Sequence, residues 1–198
     1  ITTGEGGMTM TNDEDLAAKL VRTRTHGITS LPSLMELETD RLDEIWNFQQ
    51  ISLGFNYRLT DIQAALGLSQ MESLSIFLER RREIAKIYDQ NLAEIGVVLP
   101  WQDPTTNSSR HLYPIRLDNF GKNNQKLVFE SLIREGINVN LHYIPVYRHP
   151  FFERMGFEKG YCPEAESYFK SAVSIPIYPS LTDSQQEFAI ERIREAVN

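Results

Sequence analysis

Apolar and polar residues repeat with two different periods along this chain, and the changes of period outline its organisation. Leu16, Leu20 and Val21 share one helical face after the stretch Thr11-Asn12-Asp13-Glu14, and the pattern stops at Gly27. A second helical pattern runs from Thr60-Asp61-Ile62-Gln63 to Gly96. It carries Ile62, Leu66, Leu74, Phe77, Leu78, Ile84, Tyr88, Leu92 and Ile95. Unbroken, this helix would span about 50 Å at ~1.5 Å per residue, enough to bend or break and to join two lobes. A third helix opens at Thr182-Asp183-Ser184-Gln185 and is expected to bury Phe188, Ala189, Ile193 and Val197. Each of these starts reads as a capping box, in which a Thr hydroxyl accepts an N3 amide while Glu or Gln reaches back.

Between the helices the period falls to two. Ser109 to Leu117 places His111, Tyr113, Ile115 and Leu117 on one face of a predicted strand. Leu127 to Glu135 predicts a helix ended by Gly136. The stretch INVNLHY then alternates, with Ile137, Val139, Leu141 and Tyr143 facing one way and Asn138, Asn140 and His142 the other. Ile28 to Leu53 has weak periodicity and reads as loop with one helical turn. The chain thus divides into residues 1–75, the end of an α/β layer, and residues 76–198, a small α+β lobe, with the long helix joining them.

Composition narrows what such a chain does. With 41% hydrophobic and 24% charged residues, the 198-residue chain is globular in character and long enough for a real core. A formal net charge of −7 argues against nucleic acid or an anionic membrane as partner, since both require a basic face. The run Arg80-Arg81-Arg82, flanked by Glu79 and Glu83, reads as a solvated helix face and not as a phosphate patch. The single cysteine, Cys162, excludes an intramolecular disulfide and a cysteine zinc site. A reducing cytoplasm fits best. No apolar run approaches the ~20 residues that span a bilayer.

Three places carry candidate chemistry. In TTGEGG, neither nucleotide-binding glycine fingerprint is met, so the stretch is either an anion cradle or a turn in which Gly4, Gly6 and Gly7 permit positive φ or close packing. In GFNYRLTDIQAALG, the residues Asn56, Tyr57 and Arg58 feed a capped helix N-terminus, where Asn and Arg donors suit a phosphate. The alternative there is a turn capped by Asn56, with Arg58 paired to Asp61. His142 ends a predicted strand and enters a proline-bracketed loop, a common setting for a ligand contact. Its alternative is a surface histidine bonded to Asn140. His111, His142 and His149 lack metal-ligand spacing, and no metal is expected.

The motifs ITTGEGGMTMTNDEDLAAKL, HG, GFNYRLTDIQAALGLSQM, HYIPVY and SIPIYPSLTD follow one another in this order. Together they resemble the pyridoxal-phosphate-dependent sugar aminotransferases of fold type I, the DegT/DnrJ/EryC1/StrS group, over essentially the whole chain. SSRHLYPIRL and NVNLHYIPVYRHPFFERMGF further resemble the branch that aminates C4 of a UDP-4-keto-6-deoxy-N-acetylhexosamine on the route to pseudaminic acid. The resemblance implies an α/β fold, the C-terminal part of a fold-type I aminotransferase, made of the end of the large cofactor-binding domain plus the small α+β domain.

It also implies that the Schiff-base lysine lies just upstream of Ile1. Lys19, Lys86, Lys122, Lys126, Lys159 and Lys170 all fall outside the lysine motif, so this chain alone is expected to be inactive. Asn56 matches the asparagine that reaches the phosphate of pyridoxal 5'-phosphate across a homodimer. Tyr57 and Arg58 are implied to line the same shared site as substrate contacts. His142 and Tyr143 match the loop that closes over the UDP-sugar, and His111 is implied to support that loop or to pack. GEGG is then a structural turn. Glutamate is the implied amino donor and the cytoplasm the implied location. Two other readings stand beside this one: the same chemistry on a perosamine- or aminoarabinose-type keto sugar, and a non-catalytic regulatory or dimerisation relative without the lysine.

Overall fold

The computed structural model describes residues 1–37, 44–117 and 124–197, which gather into two compact units, Ile1–Ser73 and Leu74–Asn198. The first unit holds α1 (Glu14–Thr23), β1 (Ile28–Thr29), a helical turn at Pro32–Leu34, β2 (Gln49–Gln50) and α2 (Asp61–Glu72). β1 and β2 pair antiparallel, Ile28 opposite Gln50 and Thr29 opposite Gln49. The weakly periodic stretch from Ile28 to Leu53 therefore contains a short strand pair as well as its helical turn. Its residues 38–43, like Lys122, lie outside the described residues.

Two helix boundaries differ from their expected form. α1 is capped by Asp13 and not by Thr11. The Asp13 carboxylate accepts the Leu16 amide at 2.9 Å, while the Thr11 hydroxyl accepts the Asp13 amide at 3.0 Å. Asp competes well for the N-cap, so the helix starts where the stronger acceptor sits. The long helix does not run through. α2 stops at Ser73, whose amide bonds the carbonyls of Gln70 and Met71, and α3 (Leu74–Leu92) begins at the next residue. The two halves have different faces: α2 leaves Ile62, Leu66, Leu68 and Met71 exposed, while α3 buries the stripe Ile84, Tyr88 and Leu92.

The second unit follows α3 with β3 (Tyr113–Arg116), α4 (Asn124–Arg134), a helical turn at Val146–Arg148, α5 (Pro150–Glu153), α6 (Pro163–Ser171), β4 (Ala172–Ile175) and α7 (Asp183–Val197). β3 and β4 are antiparallel, with Tyr113 opposite Ile175, Pro114 opposite Ser174 and Ile115 opposite Val173. Single bridges extend this pair on both edges, Val98 to Arg116 on one side and Asn140 to Ser174 on the other. The predicted strand at 109–117 begins only at Tyr113, because Arg110 adopts φ +50 and breaks the extended run. His111 is exposed, apart from the buried row Tyr113, Ile115 and Leu117.

The predicted strand INVNLHY is replaced by an irregular segment with the one bridge at Asn140. Ile137 and Val139 are buried as the alternation expects, whereas Tyr143 is 70% exposed. The Asn140 side chain takes the Leu141 amide at 2.7 Å, which withdraws that amide from a ladder. In α7 the buried row is Gln186, Ala189, Ile190, Ile193 and Val197, and Phe188 lies outside it under Arg192. Its Thr182 capping box forms as expected: Gln185 Oε1 accepts the Thr182 amide and Thr182 Oγ1 accepts the Gln185 amide.

The arginine run is not a solvated face. Arg80 donates to the Leu181 carbonyl and the Asp183 carboxylate, each at 2.7 Å. Arg81 donates to the carbonyls of Arg110, His111 and Ile177, and Arg82 to that of Ser108. Arg81 reaches both stretches and its neighbours one each, so the run gathers residues 108–111 and 177–181 onto one helix. Sequence spacing to Glu79 and Glu83 could not reveal these distant carbonyl acceptors.

All the buried large apolar side chains of the described residues lie in the second unit, with Ile84, Tyr88, Leu92, Tyr113, Ile115, Leu132 and Ile193 fully enclosed. The phenol of Tyr88 donates to the Pro176 carbonyl at 2.9 Å and that of Tyr113 to the Asp89 carboxylate. Burial is the main cause that pushes both phenols above the ordinary tyrosine pKa. In the first unit, only Gly27 and Thr29 are buried among the described residues. Leu132→Ala is therefore expected to destabilise the second unit by about 2–5 kcal/mol. Leu16→Ala should fall within about 0.5 kcal/mol, both read by urea unfolding followed by far-UV circular dichroism.

Candidate functional site

In the first unit, the loop carrying Asn56, Tyr57 and Arg58 is held by backbone bonds to the turn after α1. Phe55 donates to the Thr23 carbonyl at 2.7 Å, His26 to that of Phe55 at 2.9 Å, and Tyr57 to that of Arg24 at 2.9 Å. The Ile51 and Ser52 amides both reach the Gly27 carbonyl. This seam needs two glycines. A Cβ on Gly27, at φ +73, would sit 1.8 Å from the Ser52 carbonyl oxygen, and one on Gly54 would sit 2.2 Å from the Gly27 nitrogen. The HG and GFNYR motifs are thus the two faces of one close backbone approach.

The seam delivers the loop to the start of α2, where Thr60 and Gln63 form the expected capping box. Capping uses the amides of Thr60 and Gln63 and leaves those of Asp61 and Ile62 at the positive end of the helix. Asn56, Tyr57 and Arg58 are all exposed, and Tyr57 stacks on Phe55 at 4.8 Å. Among the described residues, no hydrogen bond or ion pair occupies the side chains of Asn56 or Arg58, and Arg58 does not pair with Asp61. An amide and a guanidinium free at a helix N-terminus form a donor set suited to a phosphate.

TTGEGG lies along the same helix. Gln63 Nε2 donates to the Glu5 carbonyl at 2.9 Å, and Gln70 Oε1 accepts the Thr2 amide at 3.3 Å. Gly4 takes φ +77 while its amide bonds Thr2 Oγ1 at 3.2 Å. Of the two readings left open for this stretch, the geometry is that of a turn packed on α2.

His142 and Tyr143 belong to the second unit. Their segment meets β4 at Ser174, whose amide donates to the Asn140 carbonyl at 2.8 Å and whose carbonyl accepts the Asn140 amide at 3.0 Å. The Ser174 hydroxyl lies 2.9 Å from His142 Nδ1, so the histidine is bound to Ser174 and not to Asn140. Tyr143 meets the His142 ring edge-on at 4.6 Å.

The chain beyond Tyr143 folds around a buried carboxylate that sequence reading did not single out. Glu166, 7% exposed, accepts the Gly160 amide at 2.6 Å and the Tyr147 hydroxyl at 2.8 Å, with Arg148 at 3.7 Å. The Gly160 amide, first among these, holds the Glu166 carboxyl below its ordinary pKa, while burial raises the Tyr147 phenol. Phe152, Phe157, Tyr161 and Tyr147 then pack ring against ring. A carboxylate inside an aromatic stretch has no local periodic signature, so only the fold reveals it.

Asn56, Tyr57 and Arg58 stand together in one unit, and His142 and Tyr143 in the other. His111 contributes only its carbonyl, to Arg81. Among the described residues, no group of His, Cys, Asp and Glu side chains could hold a metal ion, and no helix is long and apolar enough to cross a membrane. The shallow cleft lined by Phe77, Arg80 and Pro179 contains none of the candidate residues.

The model of the DegT/DnrJ/EryC1/StrS aminotransferase family matches residues 1–194, and the chain belongs to that family. It is 35% identical over its whole length to an uncharacterized Methanocaldococcus jannaschii protein, MJ1066, covering 51% of that protein. It is 33% identical to a UDP-4-amino-4,6-dideoxy-N-acetyl-beta-L-altrosamine transaminase of Campylobacter jejuni, with 95% of this chain and 47% of the relative covered. A putative sugar aminotransferase of Streptococcus pneumoniae, Spr1654, superposes with a TM-score of 0.82 at 25% identity, over 96% of this chain and 45% of that one. The architecture is accordingly α/β, a partial fold-type I aminotransferase. The chain spans about half the length of the curated relatives it matches.

The glycine seam makes a direct prediction. Gly27→Ala combines a left-handed φ with a backbone collision, and strain of that kind costs on the order of 1–3 kcal/mol. The 51–58 loop should detach, and chymotrypsin should cut at Phe55 and Tyr57 several-fold faster than in the parent protein. An unchanged cleavage rate would show that the seam does not hold the loop.

Proposed function

We propose that this chain supplies the C-terminal half of an aminotransferase that uses pyridoxal 5'-phosphate to move an amino group from glutamate to C4 of a UDP-4-keto-6-deoxy-N-acetylhexosamine. Residues 1–75 would complete the large domain and residues 76–198 would form the small one. The observation that carries the reading is the Asn56–Arg58 loop: exposed donors without partners among the described residues, held by the Gly27–Gly54 seam to the turn after α1 and leading into the capped N-terminus of α2.

These residues fit the phosphate end of the cofactor. The Asn56 amide and Arg58 guanidinium would hold it by charge-assisted bonds, in the site of a second copy of the chain, which makes a homodimer with shared sites the working form. When bound, the cofactor supplies an electron sink for nitrogen transfer, with its Schiff-base lysine placed in the other half of the protein. The protein's part here is to hold and orient. Tyr57 would line the same shared site as a substrate contact, and His142 and Tyr143 would contact the nucleotide-sugar from the arm anchored on β4. The substrate assignment is supported by the name of the Campylobacter jejuni relative together with the HYIPVY arm. Solubility in the cytoplasm, where glutamate and nucleotide-sugars are abundant, completes the reading.

Asn56→Ala in the full-length protein tests it. Loss of a hydrogen bond to a charged group costs about 1.5–3 kcal/mol, so cofactor affinity should fall by roughly 10–100-fold. The affinity is read by absorbance titration, alongside formation of 4-amino sugar from UDP-, GDP- and dTDP-keto sugars. Unchanged cofactor affinity would overturn the placement of Asn56, and preference for a GDP- or dTDP-keto sugar would overturn the substrate assignment.

A further inference from the structure

Ser174 is placed unlike any other residue of β4. Its backbone sits opposite Pro114, which has no N–H, and its own amide and carbonyl turn to the other edge, where Asn140 takes both. Its side chain lies on the same edge and meets His142 Nδ1 at 2.9 Å. One residue of a fully buried strand thus holds the arm twice by backbone and once by side chain. The second contact point fixes the imidazole as well as the chain that carries it.

The hydrogen-bond inventory decides the direction of that side-chain bond. A serine hydroxyl has one proton and two lone pairs, and a neutral imidazole has one N–H and one bare nitrogen. Ser174 is 5% exposed, and among the described residues its hydroxyl has no partner except His142 Nδ1. If Nδ1 carried the proton, the hydroxyl would accept it, and its own proton would be buried without an acceptor. Donation from Ser174 to a bare Nδ1 satisfies both groups, whereas the reverse leaves a buried donor unmade. The ring proton must then reside on Nε2.

We infer that Ser174 is a positioning residue for His142: it holds the neutral imidazole in the Nε2–H tautomer, so that His142 meets the substrate as a hydrogen-bond donor and not as a base. The inference rests on the reading of His142 as a nucleotide-sugar contact. It assigns to that contact an oxygen acceptor, a phosphate oxygen or a sugar hydroxyl or ring oxygen, because an N–H at Nε2 can only donate. No proton is transferred, and the ring is unchanged after turnover.

The test is the 15N spectrum of the 15N-histidine-labelled full-length protein at alkaline pH, with the His142 signals assigned by their loss in His142→Gln. The expected spectrum has an unprotonated Nδ1 and a protonated Nε2, a preference of about tenfold or more. Ser174→Ala should collapse that preference toward a mixture. It should also raise KM for the nucleotide-sugar roughly 5–10-fold, the loss of about one hydrogen bond, with kcat within about twofold. A proton on Nδ1 in the parent protein, or a Ser174→Ala spectrum identical to the parent, overturns the inference. The parent spectrum decides even if the variant does not fold. A His142→Gln protein with unchanged KM would instead overturn the substrate role of His142, independently of the spectrum.

Discussion

Apolar surface must be covered, and in this chain the covering is unequal. Every large apolar side chain that the described residues bury lies between Ile84 and Val197. The first unit has helices, a capping box and a seam of backbone bonds, yet it leaves Met8, Met10, Leu53, Ile62 and Leu68 more than 70% exposed. At ~25 cal/mol per Å² of apolar surface, a domain without a buried set cannot offset the entropy of ordering its chain. The same unit carries the donor loop at Asn56. The curated relatives it matches are about twice as long, and under the proposed function the cover would come from the half of the aminotransferase that residues 1–198 do not include.

The second unit has the opposite economy. β4 is buried at every position, and its two edges do different work. One edge pairs with β3; the other holds Asn140 and His142. The arm that presents His142 and Tyr143 is therefore fixed to the most enclosed strand of the unit. Arg80, Arg81 and Arg82 add a second layer of order, tying two stretches to α3 through carbonyl oxygens: 177–181 by Arg80 and Arg81, and 108–111 by Arg81 and Arg82. Neutral carbonyls suit this task because they order the loops without introducing a buried carboxylate.

Much of this was legible in the sequence. The Thr60 and Thr182 capping boxes, the helix before Gly136 and the buried pattern of Tyr113, Ile115 and Leu117 are local, and local chemistry decides them. So is the placement of Asn56 and Arg58 in the loop before the Thr60 cap, and the order of motifs led directly to the family. What escaped was non-local. β4 is four residues of continuous burial followed by Pro176, too short and too uniform for a period to show. The INVNLHY alternation was real for Ile137 and Val139 but lacked a partner strand long enough to extend it. The acceptors of the arginine run lie far along the chain, and Glu166 is defined by the amide of Gly160 and the hydroxyl of Tyr147. Gly27 and Gly54 were visible as glycines, but their mutual approach was not.

Hydrogen exchange read by mass spectrometry, comparing residues 1–198 alone with the complete aminotransferase of the proposed function, tests the unequal burial most directly. The account predicts slow exchange in α3, β3, β4 and α7 in both samples. In α1, α2 and the 51–58 loop, it predicts slow exchange only when the other half is present. Equal protection of the first unit in the isolated chain would contradict it, because elements that bury no large apolar side chain among the described residues would then be holding themselves together.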